Sequence, residues 1–177
     1  MKLTEARSSE QLEPLRKLYE EAFPPEEKKP FAFILQKREE EIFEILRIED
    51  EAGKFLGLAI VILYQDLALL DYFAIEKEER GKGTGSKALQ LLQERYGERR
   101  FFLEIESTKE ECDDLDNRLR RKHFYVKNGM GEMNFLVDLF GVTMELMTFR
   151  CQIGYEEYHK IFEDIFPAGM SEKVRRI

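Results

Sequence analysis

The sequence lacks several features that would point to particular protein classes. It has no tryptophan, only two cysteines and two histidines, and no apolar run near the roughly 18 residues of a membrane-spanning helix. Cys112 and Cys151 make no disulfide framework, and His123 and His159 lie far from other candidate ligands. No signal-peptide pattern is present. We therefore expect no metal site and no membrane partner, and we predict a cytoplasmic protein.

The chain also lacks an excess of basic residues. Lys and Arg number 28 against 36 Asp and Glu, which gives a formal net charge of −8. A nucleic-acid-binding protein needs a basic face, so no nucleic-acid partner is expected, whereas an acidic field favours a cationic partner such as an amine. Hydrophobic residues make up 43% of the 177 residues, which is enough for the core of one domain over residues 1–177.

The spacing of apolar residues predicts an α/β protein. Helices are predicted at residues 9–23, 87–96, 113–128 and 155–166, with a short one after Pro30. Strands are predicted at residues 1–7, 42–48, 54–64, 67–75, 101–106, 135–140 and 142–149. Strands with helices between them imply a mixed sheet in a three-layer α/β/α or α+β domain, in which residues 154–177 form a helical extension.

A glycine-rich stretch, R-G-K-G-T-G-S at residues 80–86, lies between a predicted strand and a predicted helix. Glycine lets the backbone bend tightly and approach a ligand, and the helix that follows offers unpaired N–H groups to an anion. Arg80, Lys82 and Lys87 are unfavourable at a helix N-terminus, by several tenths of a kcal/mol each, unless an anion binds there. The spacing fits neither the Walker loop nor the dinucleotide fingerprint. It indicates a different phosphate-binding loop.

A second segment, N-R-L-R-R-K-H-F-Y-V-K-N-G-M at residues 117–130, has a pattern of its own. Together the two segments resemble those of the GNAT acetyltransferases, the acetyl-coenzyme A-dependent N-acetyltransferase superfamily. The resemblance runs from the first strand to about residue 149. It implies a GNAT-like domain in which strands 67–75 and 101–106 splay apart and the coenzyme enters the gap.

The resemblance implies acetyl-CoA as co-substrate. Its diphosphate would bind the glycine loop, and its pantetheine arm would pair with the main chain of strand 67–75. Asn117 would hydrogen-bond the pantetheine, or else simply lie in the first turn of its helix. Arg118 and Arg121 would contact phosphates or acceptor, or else form a solvated face. The predicted cofactor-binding residues are Phe73, Ala74, Ile75, Arg80, Gly81, Lys82, Gly83, Thr84, Gly85, Ser86, Asn117 and Arg121.

Acetyl transfer to an amine requires a proton for the departing thiolate. Arg118, Arg121 and Tyr125 are spaced three and four residues apart, so they share one face of the predicted helix. A tyrosine on that face is suited to donate the proton, and the resemblance assigns Tyr125 the role of general acid. The alternative is that Tyr125 packs against the sheet with its hydroxyl in water.

A base must also deprotonate the acceptor's ammonium group. Glu104 and Glu106 alternate with apolar residues, so both carboxylates lie on one face of their strand. Asp71 interrupts the apolar run of strand 67–75, and a buried charge there needs either a partner or a function. Glu104 and Asp71 are the two candidate bases. Transfer without any single protein base, with Glu104 and Glu106 as ordinary surface residues, is the alternative.

The sequence thus favours an N-acetyltransferase that acts on a primary amine of a small molecule or peptide. One alternative is a non-catalytic acetyl-CoA-binding regulatory or sensor module with the same fold. Another is a structural subunit, because an apolar stripe on the last helix would seal a homodimer unless it packs on its own domain. That stripe consists of Tyr155, Tyr158, Ile161, Phe162 and Ile165.

Overall fold

The computed structural model describes residues 1–25 and 27–177 and confirms the α/β class. No helix in this described part is long and apolar enough to cross a membrane. The helices and strands are β1 (Lys2–Glu5), α1 (Ser9–Ala22), α2 (Phe31–Glu39), β2 (Phe43–Glu49), β3 (Phe55–Tyr64), β4 (Leu67–Ile75), α3 (Thr84–Arg95), β5 (Arg100–Glu106), α4 (Leu115–Lys127), β6 (Gly131–Leu139), β7 (Val142–Phe149), α5 (Tyr155–Ile165) and β8 (Val174–Arg176).

The chain divides into two compact units, Met1–Gly97 and Glu98–Ile177. The first contains α1, α2 and α3 with strands in the order β1-β2-β3-β4, and each neighbouring pair is antiparallel. The second contains α4 and α5 with strands in the order β5-β7-β6-β8, again antiparallel. The expected splay concerns strands that belong to different units, so it stays a prediction, as does the single domain.

Helix α1 forms where the sequence predicted it. Ser8 accepts a hydrogen bond from the backbone N–H of Gln11 at 3.3 Å, and the Gln11 side chain accepts from the N–H of Ser8 at 3.1 Å. This reciprocal cap satisfies two N–H groups that no helical carbonyl can reach. Leu15, Leu18 and Tyr19 form the buried face, and the helix ends at Ala22, just before two prolines.

Strand β4 contains a β-bulge at its only acidic residue. Leu70 lies opposite Val61 on β3 and Tyr72 lies opposite Ile60, so Asp71 is the additional residue between them. A bulge bends the strand and changes the direction of a side chain. The carboxylate that interrupts the apolar run therefore sits at a local irregularity of the sheet.

Helix α3 begins at Thr84, whereas the sequence predicted a start at residue 87. Gly83 is the N-cap residue, with φ +82° and ψ −2°. Gly81 also has a positive φ, of +75°, but Gly85 is helical. The prediction that residues 84–86 belong to the loop was wrong, because two left-handed glycines complete the bend by residue 83 and the backbone is then free to enter the helix.

The sequence predicted a helical C-terminal extension, but the extension also contains a strand. After α5 the chain makes a short 3₁₀ helix at Ser171–Lys173 and then β8, which pairs with β6 from Val174 opposite Leu139. The α5 residues Tyr158, Ile161, Phe162 and Ile165 are buried in this chain. The stripe therefore packs on its own unit and is not available to seal a homodimer.

A charged network is buried in the second unit. The Glu145 carboxylate on β7 is fully buried and accepts hydrogen bonds from Thr108, at 2.6 Å from its N–H and 2.8 Å from its hydroxyl. Lys122 of α4 donates to Glu145 and also pairs with Glu132 at 2.7 Å. Burial opposes the charge on Glu132, but hydrogen bonds from Lys109 and Lys122 lower its pKa to about 2. The network links α4 to β6 and β7.

Candidate active site

The turn between β4 and α3 contains backbone donors that have no carbonyl partner. Lys87 N–H is the first in α3 to donate to a carbonyl, that of Gly83, at 3.1 Å. The preceding three N–H groups, of Thr84, Gly85 and Ser86, have no carbonyl partner in residues 1–25 and 27–177, and no side chain caps them. Unpaired N–H groups at the positive end of a helix form a binding site for an anion.

The basic side chains near this turn have partners of different kinds. Arg80 Nε donates to the carbonyl of Ile75 at 2.9 Å, which folds the residue back onto the end of β4. Lys82 lies 3.3 Å from Glu79, and Lys54 lies 2.6 Å from the same carboxylate. These pairs are exposed to solvent, so they contribute little to stability and break easily when a more strongly charged anion approaches.

The predicted pantetheine-pairing residues lie at the end of β4. Phe73, Ala74 and Ile75 pair with residues 57–59 of β3. The carbonyl of Ile75 accepts the hydrogen bond from Arg80, so the structure joins this stretch to the predicted phosphate loop. Pairing of its main chain with a coenzyme stays a prediction.

Asp71 has a partner that the sequence did not reveal. Lys29, between α1 and α2, lies 2.7 Å and 2.9 Å from the two Asp71 oxygens. Only 6% of the Asp71 side chain is exposed. The partner offsets part of the cost of burying this charge. No local pattern could have found the pair, since 42 residues separate its members.

Glu104 and Glu106 both have partners in the second unit. The hydroxyl of the fully buried Tyr158 donates to Glu104. Glu106 accepts from Arg118 at 2.6 Å and from Arg121 at 3.3 Å. Neither carboxylate is an ordinary solvated surface residue. Sequence reasoning missed Tyr158, which it had placed only in an apolar stripe.

The two arginines predicted to contact phosphates or the acceptor differ in exposure. Arg118 also donates to the carbonyl of Ser107 at 3.2 Å, and 17% of its side chain is exposed. Arg121 is 47% exposed and forms the longer of the two contacts with Glu106. Arg121 is therefore the more accessible of the two to a ligand.

Tyr125 lies on α4 and is almost completely buried. Its exposed fraction is 8%, and no hydrogen bond to its hydroxyl is present in the described part of the chain. Burial raises the pKa of Tyr125 to about 12, although the nearby charge of Arg121 acts in the opposite direction. The phenol is therefore protonated at neutral pH, as a general acid must be before it reacts.

Asn117 is in the first turn of α4 and is exposed. Its amide donates to the carboxylate of Asp114, the N-cap residue, and its side-chain oxygen accepts from Arg120. These contacts fit the alternative that Asn117 supports its own helix. The described residues contain no group of three or more His, Cys, Asp or Glu that could hold a metal ion.

Comparison with known proteins agrees with the fold. Residues 12–130 match the family model "Acetyltransferase (GNAT) family". No curated protein matches the sequence. A protein from Bacteroides thetaiotaomicron that is described as an acetyltransferase of the GNAT family has a similar structure. The TM-score is 0.79, with 20% identity over 94% of this chain and 98% of that one.

Two further solved structures share the fold. An aminoglycoside 6'-N-acetyltransferase complexed with coenzyme A has a TM-score of 0.65 and 15% identity over 87% of this chain and 100% of that one. A dodecameric spermidine N-acetyltransferase from Vibrio cholerae has a TM-score of 0.62 and 16% identity over 82% and 92%. At such identities the likeness shows the fold alone.

A chain of this fold that matches this family model is an acyltransferase. The chain belongs to the GNAT acetyltransferase family, because the family model matches well over half of its length.

Proposed function

We propose that the protein transfers the acetyl group of acetyl-CoA to a primary amine of a small molecule or peptide. The observation that carries this proposal is the start of α3, with its three N–H groups that lack carbonyl partners. A Cβ built on Gly81 or Gly83 would meet no atom within 4 Å, so no described residue crowds the turn at these two glycines. The residues present therefore fit the coenzyme.

An amine acceptor suits the charge of the chain. The net charge of −8 attracts cations. Two structural neighbours are named for cationic amine acceptors, an aminoglycoside and spermidine. This support extends to the chemical class of the acceptor and not to its identity.

Acetyl-CoA supplies an activated acyl group, so the protein has to position the reactants and move two protons. A carboxylate removes a proton from the acceptor's ammonium group, the neutral nitrogen bonds to the acyl carbon, and the carbon–sulfur bond breaks. Tyr125 donates a proton to the departing thiolate, and the second proton that the nitrogen loses on forming the amide restores the phenol. Its raised pKa, about 12, keeps that proton available at neutral pH.

We favour Asp71 over Glu104 as the base. Asp71 is on β4, two residues before the stretch predicted to pair with the coenzyme, and it already binds an ammonium group, that of Lys29. The Glu104 carboxylate instead contacts a neutral donor, the hydroxyl of the buried Tyr158.

Replacing Asp71 with asparagine is expected to lower kcat/KM for the amine by about 10²- to 10⁴-fold, the usual contribution of a general base. The matched change Glu104→Gln should alter it less than tenfold. Steady-state kinetics with a panel of primary amines, with thermal unfolding to verify folding, will test this expectation. The reverse pattern would identify Glu104 as the base.

Coenzyme binding is expected to depend on the backbone conformation of the turn. Gly83→Ala places a Cβ on a residue with φ +82°, which costs about 1–2 kcal/mol and turns the N–H groups away from the ligand. Calorimetry should show weaker acetyl-CoA binding. Gly169→Ala is the matched control, because Gly169 has φ +84° and equally open surroundings but lies in the other unit. Equal affinities in the two variants would contradict the proposed loop.

A second candidate function is a regulatory or sensor module that binds acetyl-CoA without turnover. It is favoured because both candidate bases already have partners. Asp71 pairs with Lys29, and Glu104 accepts a hydrogen bond from Tyr158. Coenzyme binding by calorimetry, without acetylation of any amine in the panel, would support the module. Measurable turnover that Tyr125→Phe suppresses would exclude it.

A further inference from the structure

The ammonium group of Lys29 fills a corner formed by two neighbouring residues of β4. It contacts both oxygens of Asp71, at 2.7 Å and 2.9 Å, and lies 5.1 Å from the centre of the Tyr72 ring. A carboxylate beside an aromatic ring is a general binding site for an alkylammonium ion, through charge-assisted hydrogen bonds and cation–π attraction. The fold thus contains an ammonium site that is filled by its own lysine.

The backbone of Lys29 is held independently of its ammonium group. Its N–H donates to the Tyr72 hydroxyl at 2.9 Å, and its carbonyl accepts from the Tyr19 hydroxyl at 2.9 Å. The Tyr72 hydroxyl in turn donates to the carbonyl of Glu27 at 2.8 Å. Because these bonds do not involve the side chain, the flexible stem of the lysine can swing away from Asp71 while the backbone stays in place.

The position of the corner matters for acetyl transfer. Asp71 precedes Phe73 by two residues, which is about 7 Å along an extended strand. Strand β4 therefore carries the ammonium site next to the stretch that is predicted to align the coenzyme. An amine bound at Asp71 would lie on the same strand as that stretch.

We propose that Lys29 occupies the acceptor's ammonium site from within the chain and determines which amines are accepted. The inference rests on the proposed function and adds that Lys29 competes with the acceptor for the Asp71 carboxylate. An acceptor must displace Lys29, so its apparent affinity is reduced by the fraction of molecules in which Lys29 is bound. Amines that bind Asp71 more strongly than a lysine side chain, such as those with a second positive charge, are then preferred.

The kinetic test replaces Lys29 with methionine, which keeps an unbranched stem and removes the charge. With 1,4-diaminobutane as acceptor, KM is expected to fall on the order of tenfold while KM for acetyl-CoA is unchanged. Lys28→Met is the matched control, because the neighbouring Lys28 pairs with Glu20 instead. A KM that is unchanged or higher in folded Lys29→Met protein would overturn the proposal.

A second test uses the wild-type chain without coenzyme and does not depend on turnover. The ¹⁵N-labelled Lys29 ammonium group, assigned with Lys29→Arg, should show a hydrogen-bonded NMR signal that is lost in Asp71→Asn. Titration with 1,4-diaminobutane is expected to release it. A Lys29 signal that does not change throughout the titration would overturn the proposal. If acetyl-CoA failed to bind in calorimetry while the diamine still released the Lys29 signal, the proposed function would be rejected and the ammonium site at Asp71 would remain, so the two failures are distinguishable.

Discussion

Replacing Tyr125 with phenylalanine is expected to lower kcat for acetyl transfer by about 10²- to 10⁴-fold, the typical contribution of a general acid. The change removes one oxygen from an almost fully buried side chain that makes no hydrogen bond in the described residues, so packing is preserved. Both kcat and the dissociation constant for acetyl-CoA should be measured. The first should fall while the second stays constant.

Tyr155→Phe is the matched control for this experiment. The Tyr155 hydroxyl donates to the backbone carbonyl of Val174 at 2.9 Å and has no place in the proposed chemistry. Its loss should leave kcat within a fewfold of wild type. If Tyr125→Phe and Tyr155→Phe have the same kcat, Tyr125 does not donate the proton.

The pH profile gives an independent check on Tyr125. A general acid acts only while it is protonated, and burial raises the pKa of Tyr125 to about 12. Activity should therefore persist as the pH rises and be lost through this group only near pH 12. A basic limb of kcat/KM that lies far below this value, and that disappears in Tyr125→Phe, would show that the environment of the phenol differs from the one described.

Replacing Glu145 with alanine is expected to reduce the free energy of unfolding by about 3–5 kcal/mol, as when one partner of a buried ion pair is removed. Thr108 would lose the acceptor for both of its hydrogen bonds, and Lys122 would lose one of its two carboxylate partners and keep Glu132 and the Thr108 hydroxyl. Urea denaturation measures the change through the midpoint, provided that the slope of the transition is preserved.

Two further variants test how much of this loss comes from the charge of Glu145 and how much from its burial. Glu145→Gln keeps the volume and an oxygen for Thr108, so it should lose less stability than Glu145→Ala. Glu163→Ala removes an exposed carboxylate that pairs with Lys160 on α5 and should cost no more than about 1 kcal/mol. If Glu145→Ala reduced the free energy of unfolding as little as Glu163→Ala does, the buried network would not stabilise the packing of α4.

Regular patterns in the sequence predicted most of the helices and strands. The apolar run at residues 67–75 matches β4 at both ends, and α5 differs from its predicted range by one residue. Periodicity works here because one face of each helix or strand is buried in its own unit. The motif at residues 80–86 likewise predicted a turn that ends in a helix with unpaired N–H groups.

Features that depend on long-range contacts could not be predicted. The three residues of β8 are too few to show a period, and they form a strand only because β6 offers a partner. The partners of Asp71 and Glu104 lie 42 and 54 residues away in the chain. Because burying an unpaired charge is costly, a buried carboxylate needs a counter-charge or a hydrogen-bond donor. Only the folded chain shows which residue supplies it.

The three residues of β8 also affect how the protein behaves at high concentration. A strand at the border of a sheet presents a free row of N–H and C=O groups on which a second molecule can assemble. Here β6 is covered by a strand of minimal length whose Arg175 and Arg176 are both exposed and positively charged. The positive charges on β8 repel those of a second copy, so β8 opposes aggregation through edge-to-edge strand pairing.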